Sequence, residues 1–178
     1  MKGRTRAAVL PVLVTAAMLT GVLAAAAAGS SNPSAGGHGN LVSGGELRTF
    51  SFTAVRHADG TVAGQVQVKN RALDVHAHIS VDCLKFEPGN RAIASGTITQ
   101  SSNPALIVPG RIAVLGVEDN GEGAAAAADT ITTIPDYAPP KSCNEFTFVG
   151  STLREIANLS VVVRPLTPIL NGDIQVRP

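Results

Sequence analysis

The chain has no tryptophan, one tyrosine and five phenylalanines, so stacking platforms for bases or sugar rings are poorly supplied. It has two cysteines and no C-x-x-C pair, which removes the usual sequence basis for dithiol redox catalysis. Charged residues make up only 15% of the 178 positions, with a formal net charge of +1. Three of the 14 basic residues, Lys2, Arg4 and Arg6, belong to an N-terminal export pattern; without them 11 face 13 acidic residues, a net of −2. No basic footprint for nucleic acid remains, and nucleic acid is excluded as a partner. A hydrophobic content of 44% is too high for a disordered chain.

The export pattern is a basic start, an apolar run from Ala7 to Ala28, and small residues at its end. It predicts a signal peptide over 1–28, cut after Ala26 or Ala28. The run's 22 residues are also long enough for a membrane anchor, but Pro11, Gly21 and the alanine tract favour cleavage. Membrane contact is therefore expected only through the uncleaved signal peptide, and the localisation is secreted or extracytoplasmic. Residues 29–45 hold six Gly and four Ser and predict a flexible leader in which His38 is solvated. The rest, 46–178, predicts a single domain.

From Glu46 to Val68 apolar residues recur with a period of two, which predicts strands. A two-residue turn at Asp59-Gly60 would set Phe52 beside Gln67. A three-residue turn over 58–60 instead sets Phe52 opposite Val66, Phe50 opposite Val68 and Ala54 opposite Gly64. Since a one-residue slip inverts a strand's faces, the second register is predicted, with Gly60 left-handed at a bulge. A third strand over 74–84 places Val75, Ala77, Ile79, Val81 and Cys83 on one face. Further strands are expected at 91–99, 111–118, 129–134, 145–149, 159–164 and 172–177, with a phase change at Gly96. Pro165 and Pro168 predict a shortened strand; 151–158 carries the apolar spacing of a short helix. Short strands with Gly/Pro turns imply an all-β fold: an antiparallel β-sandwich or partly closed β-barrel of about eight to nine strands.

Cys83 and Cys143, 60 positions apart, are expected to form a disulfide in an oxidising compartment; the alternatives are two buried thiols or a catalytic thiol. His76 and His78 point the same way along a strand and could share a metal ion, but they lie opposite the apolar stripe, and a solvated sheet face explains them without a metal. Asp119 and Glu122 in the loop EDNGEG offer hard oxygens to calcium, against an ordinary Asn-Gly turn. His57, Asp59 and a serine could be drawn as a triad, but no G-x-S-x-G elbow is present. Arg56 takes the core-facing phase and is expected to clamp a sheet end through a carboxylate or carbonyl. Asn158-Leu159-Ser160 matches a glycosylation acceptor. No cofactor is implied.

The segments FSFTAVRHADGTVAGQVQV, VDCL followed by GN, VEDNGEG and the terminal GDIQV together resemble an uncharacterised family of exported bacterial all-β proteins. In this chain Asp173 stands where that pattern has Asn. The resemblance implies a secreted β-domain that carries Cys83 with Cys143 as its partner; it implies no activity, substrate or catalytic residue. The expected function is a non-enzymatic domain that binds a ligand or a surface component, the partner being an unknown ligand or envelope component. A structural envelope-associated protein and a small hydrolytic enzyme are the alternatives.

Overall fold

The computed structural model describes residues 31–123 and 125–178, with only the backbone at 161 and 162. The signal peptide expected over 1–28 lies outside the described residues. Among the described residues twelve strands follow one another: β1 (Ser34–Ser43), β2 (Glu46–Arg56), β3 (Val62–Asn70), β4 (Val75–Glu87), β5 (Arg91–Ser101), β6 (Ile112–Glu118), β7 (Thr130–Thr132), β8 (Asp136–Tyr137), β9 (Phe146–Val149), β10 (Thr152–Glu155), β11 (Asn158–Pro168) and β12 (Asn171–Arg177). They form one antiparallel sheet in the order β12-β1-β2-β3-β4-β5-β6-β7-β11-β10-β9, with β8 paired to β6. This corrects the expected sandwich or partly closed barrel of about eight to nine strands. The sheet is single, has more strands, and its edge strands β12 and β9 share no backbone ladder.

The β2–β3 hairpin has the predicted register. Phe50 faces Val68, Phe52 faces Val66 and Ala54 faces Gly64, while Gly60 closes the turn at φ +85°. Asp59 Oδ1 accepts the Thr61 N–H at 2.9 Å and its hydroxyl at 2.6 Å. The Thr61 hydroxyl holds the Asp59 carboxyl below its ordinary range, so this residue is committed to the turn.

The expected flexible leader over 29–45 is instead a strand from Ser34. β1 lies between β12 and β2 in a continuous register, with Gly37 opposite both Ile174 and Phe52. Its glycines mark close approach: a Cβ on Gly39 would sit 2.4 Å from the Asn171 carbonyl oxygen and 3.3 Å from the Phe50 ring. A composition typical of linkers therefore serves strand packing here.

A row in which every residue but Val81 is Ala or Gly crosses the inner face from strand to strand: Ala35, Ala54, Gly64, Val81, Gly96 and Ala113. A Cβ on Gly96 would come 2.0 Å from the Ser80 carbonyl oxygen, so only glycine allows the coil of the sheet at that level. The neighbouring row is large apart from Gly37 between its first two members, with Ile174, Phe52, Val66, Ile79 and Ile98 filling the concave side.

One residue reverses the faces of β4. Val81 pairs with Gly96 but Cys83 pairs with Ser95, leaving Asp82 as a bulge. Beyond it Leu84 turns inward, and Cys83 joins a second cluster with Ile93, Ile112, Val114, Cys143, Phe146, Leu153 and Val163. The inward phase expected for Cys83 is thus corrected: the chain changes phase one residue before it. Burial raises the Asp82 carboxyl pKa.

The second cluster lies between the outer face of β4–β6 and the returning β9–β11 segment. Cys83 and Cys143 are disulfide-bonded, with Cα atoms 5.7 Å apart. A 3-10 turn over Cys143–Glu145 leads into β9. The helical spacing at 151–158 gives β10 and a turn, because Leu153 is buried in this cluster while Ile156 is exposed. β11 is longer than expected and passes through both prolines. Pro165 falls where the strand leaves β10 for β7, a change of partner at which the missing proline N–H costs least.

Both edge strands are clasped by charged side chains, from the β6–β7 loop at β12 and from β4 at β9. On β12 the Ile174 N–H donates to Asp129 Oδ2 at 2.8 Å and the Val176 N–H to Asp119 Oδ2 at 3.0 Å. On β9 the Phe148 N–H donates to Glu87 Oε2 at 3.1 Å, and Lys85 Nζ donates to the Phe146 carbonyl at 2.7 Å. Unpaired backbone that would template aggregation is thereby occupied.

Candidate functional site

The concave side of the sheet opens at one end into a cavity of about 270 Å3. Alternation along β1, β2, β3 and β4 aims Leu41, Phe50, Val68 and Val75 into it, and Ile131 closes the opposite wall. Two loops supply the rim. Leu73, in the β3–β4 turn, is 54% exposed, and Leu106, in the β5–β6 loop, is 56% exposed. Leucines this open beside one apolar hollow form a patch of the kind that marks binding surfaces. The Leu106 loop is braced by the N–H groups of Leu106 and Ile107, both donating to the Asn103 carbonyl at 3.0 Å.

Polar residues gather on one side of the mouth. Arg48, Thr133 and Arg164 line both this cavity and an adjoining hollow of about 270 Å3 that also includes Ser43 and Thr167. Arg48 Nη2 meets Glu46 Oε2 at 3.4 Å, but that same oxygen already accepts Asn70 Nδ2 at 2.5 Å. Arg48 Nε is buried and without a hydrogen-bond partner. Arg164 donates to the Val163 carbonyl at 2.9 Å and forms no ion pair among the described residues. Other charges at the mouth are matched: Lys69 with Asp74 at 3.1 Å, Arg111 with Asp136 at 2.6 Å.

The residues singled out in sequence lie elsewhere. His76 is exposed and His78 half-buried on the outer face, opposite Lys69 and Gln67 in the register. Asp119 Oδ1 accepts the Gly121 N–H of its own loop at 2.8 Å and Oδ2 accepts that of Val176 on β12, so both carboxylate oxygens are taken up by backbone N–H groups. Glu122 is exposed in the same loop. No group of three or more His, Cys, Asp or Glu able to hold a metal ion occurs among the described residues. His57 and Asp59 sit in the exposed hairpin turn. Arg56 donates to the Leu84 carbonyl and lies 5.5 Å from the Phe86 ring centroid, clamping the end of the sheet. Asn158 is exposed at the start of β11, where its Oδ1 accepts the Ser160 hydroxyl at 2.6 Å.

The mouth itself was not singled out in the sequence. Its available signal is the apolar triplet Leu106-Ile107-Val108 between Pro104 and Pro109, too short for a core strand in a segment otherwise built from turn residues. No helix among the described residues is long and apolar enough to cross a membrane. No protein-family model matches this chain, and neither does any curated protein or solved structure.

Proposed function

We propose that the chain is an exported, non-enzymatic domain that binds a small apolar molecule at the open mouth of its curled sheet. One observation carries this reading: an apolar cavity of about 270 Å3 whose rim keeps Leu73 and Leu106 exposed. Folding alone gains nothing from leaving those side chains in water, whereas a ligand seated between them would bury both. The volume lies near the lower bound for small-molecule sites, which suits a compact or single-chain ligand rather than a two-chain lipid. The rim chemistry is cationic and hydroxylic, which supports holding a ligand better than turning one over.

A neutral naphthylamine dye that brightens in apolar surroundings tests the reading. Saturable binding by the wild-type chain is expected. Leu106→Asp should weaken it by about tenfold or more, the loss of one leucine contact surface, with the melting temperature unchanged because the side chain is exposed. Dye binding that fails to saturate, or that ignores the substitution, would remove the mouth as the site.

A further inference from the structure

The geometry points to a specific ligand class for this mouth: a single-chain amphiphile with an anionic head, its tail in the apolar cavity and its head between Arg48 and Arg164. The inference rests on the apolar-site reading above and adds the charge and shape of the ligand. Apolar cavity and polar hollow are contiguous, because Arg48, Thr133 and Arg164 line both. A molecule that fills both must change from apolar to polar along its length.

The sign of the polar end follows from the unbalanced charge there. Two guanidinium groups line the hollow; the Glu46 carboxylate is shared between Arg48 at 3.4 Å and Asn70 at 2.5 Å, and the Asp136 carboxylate on the cavity wall is paired with Arg111 at 2.6 Å. Arg48 Nε is buried and unpartnered, a donor whose desolvation the protein alone leaves uncompensated. Guanidinium donors match the geometry of carboxylate and phosphate oxygens. The Ser43, Thr133 and Thr167 hydroxyls beside them can add neutral hydrogen bonds. A cationic head would instead meet two positive charges.

Decanoate, decanol, decyltrimethylammonium and inorganic phosphate, each titrated as a competitor of the dye below micelle-forming concentrations, separate the possibilities. Decanoate is expected to bind about tenfold more tightly than decanol, the worth of a hydrogen bond to a charged group, and the cationic amphiphile more weakly than either. The double substitution Arg48→Gln with Arg164→Gln should bring decanoate down to the affinity of decanol while leaving decanol unchanged. Equal binding of decanoate and decanol by the wild type, or a preference that survives the double substitution, would overturn the anionic-head inference and leave the apolar site standing. Competition by phosphate as strong as that of decanoate would overturn it too, making the hollow a free-anion site. Failure of the dye itself to bind would remove both readings together.

Discussion

The two edges of this sheet meet the same hazard by different means. At β12, Asp119 and Asp129 reach across from the β6–β7 loop and take the N–H groups of Ile174 and Val176. At β9, Glu87 and Lys85 satisfy one N–H and one carbonyl, and the Cys83–Cys143 bond lies beside them. β12 is therefore held by short-range polar contacts within one curled wall, where Asp129 is only 7% exposed. β9 belongs to a short-stranded segment packed on the outer face, whose position depends on a covalent tie across 60 residues. An edge next to a well-registered strand such as β1 needs only a clasp. One reached by way of the three-residue β7 and the four-residue β10 needs an anchor as well.

The largest effect should come from the anchor. Replacing both Cys83 and Cys143 by Ala is expected to cost about 4 kcal/mol at most, the chain-entropy figure for a loop of this length. Hydrogen exchange should quicken first at Phe148 and Leu153, with Ile174 still protected. Equal loss at both edges would show that the returning segment and the curled wall unfold as one unit.

The clasp at β12 should be worth somewhat less. Asp129→Ala strands the buried Ile174 N–H and removes the acceptor for the Asn120 N–H, costing about 3 kcal/mol. Exchange should then quicken at Ile174 while Phe148 keeps its rate. Chemical denaturation with and without the substitution measures the first quantity, and residue-resolved exchange the second.

The smallest effect should appear at Glu87. Burial pushes its carboxyl upward, but hydrogen bonds from Lys85, the Phe148 N–H and the Thr147 hydroxyl outweigh this and hold it below the ordinary value. A carboxyl depressed in the folded state contributes stability above its unfolded pKa of about 4.3 and loses it as pH falls through the folded value. Glu87→Gln is expected to cost on the order of 1 kcal/mol at neutral pH and to flatten the acid limb of the stability curve. An unchanged acid limb would assign that sensitivity to other carboxylates.

Legibility in the sequence followed the regularity of the strands. Phe50, Phe52, Val66 and Val68 alternate without interruption, and their pairing could be read because only one register puts all four on one face. Cys83 could not be placed from its own strand, since the bulge at Asp82 is set by the approach of β5 at Ser95 and Gly96. The disulfide was legible from the count of two cysteines and the expectation of export, but not the face on which it lies. For the mouth, the rim residues Leu73 and Leu106 come from two loops with no common pattern, and Arg48 and Arg164 are more than a hundred positions apart.

The sequence by itself determined the all-β class, the β2–β3 register with its bulged turn, and the pairing of Cys83 with Cys143, because each rests on local period, turn chemistry or a count of two. Tertiary structure alone decided that the glycine-rich stretch is a strand, that the sheet stays open at both edges, and that Asp119 clasps β12 instead of lining an ion site. It also decided where two arginines meet an apolar hollow. Those outcomes depend on which backbones come within a few ångströms of one another after the sheet coils, a distance that no spacing along the chain encodes.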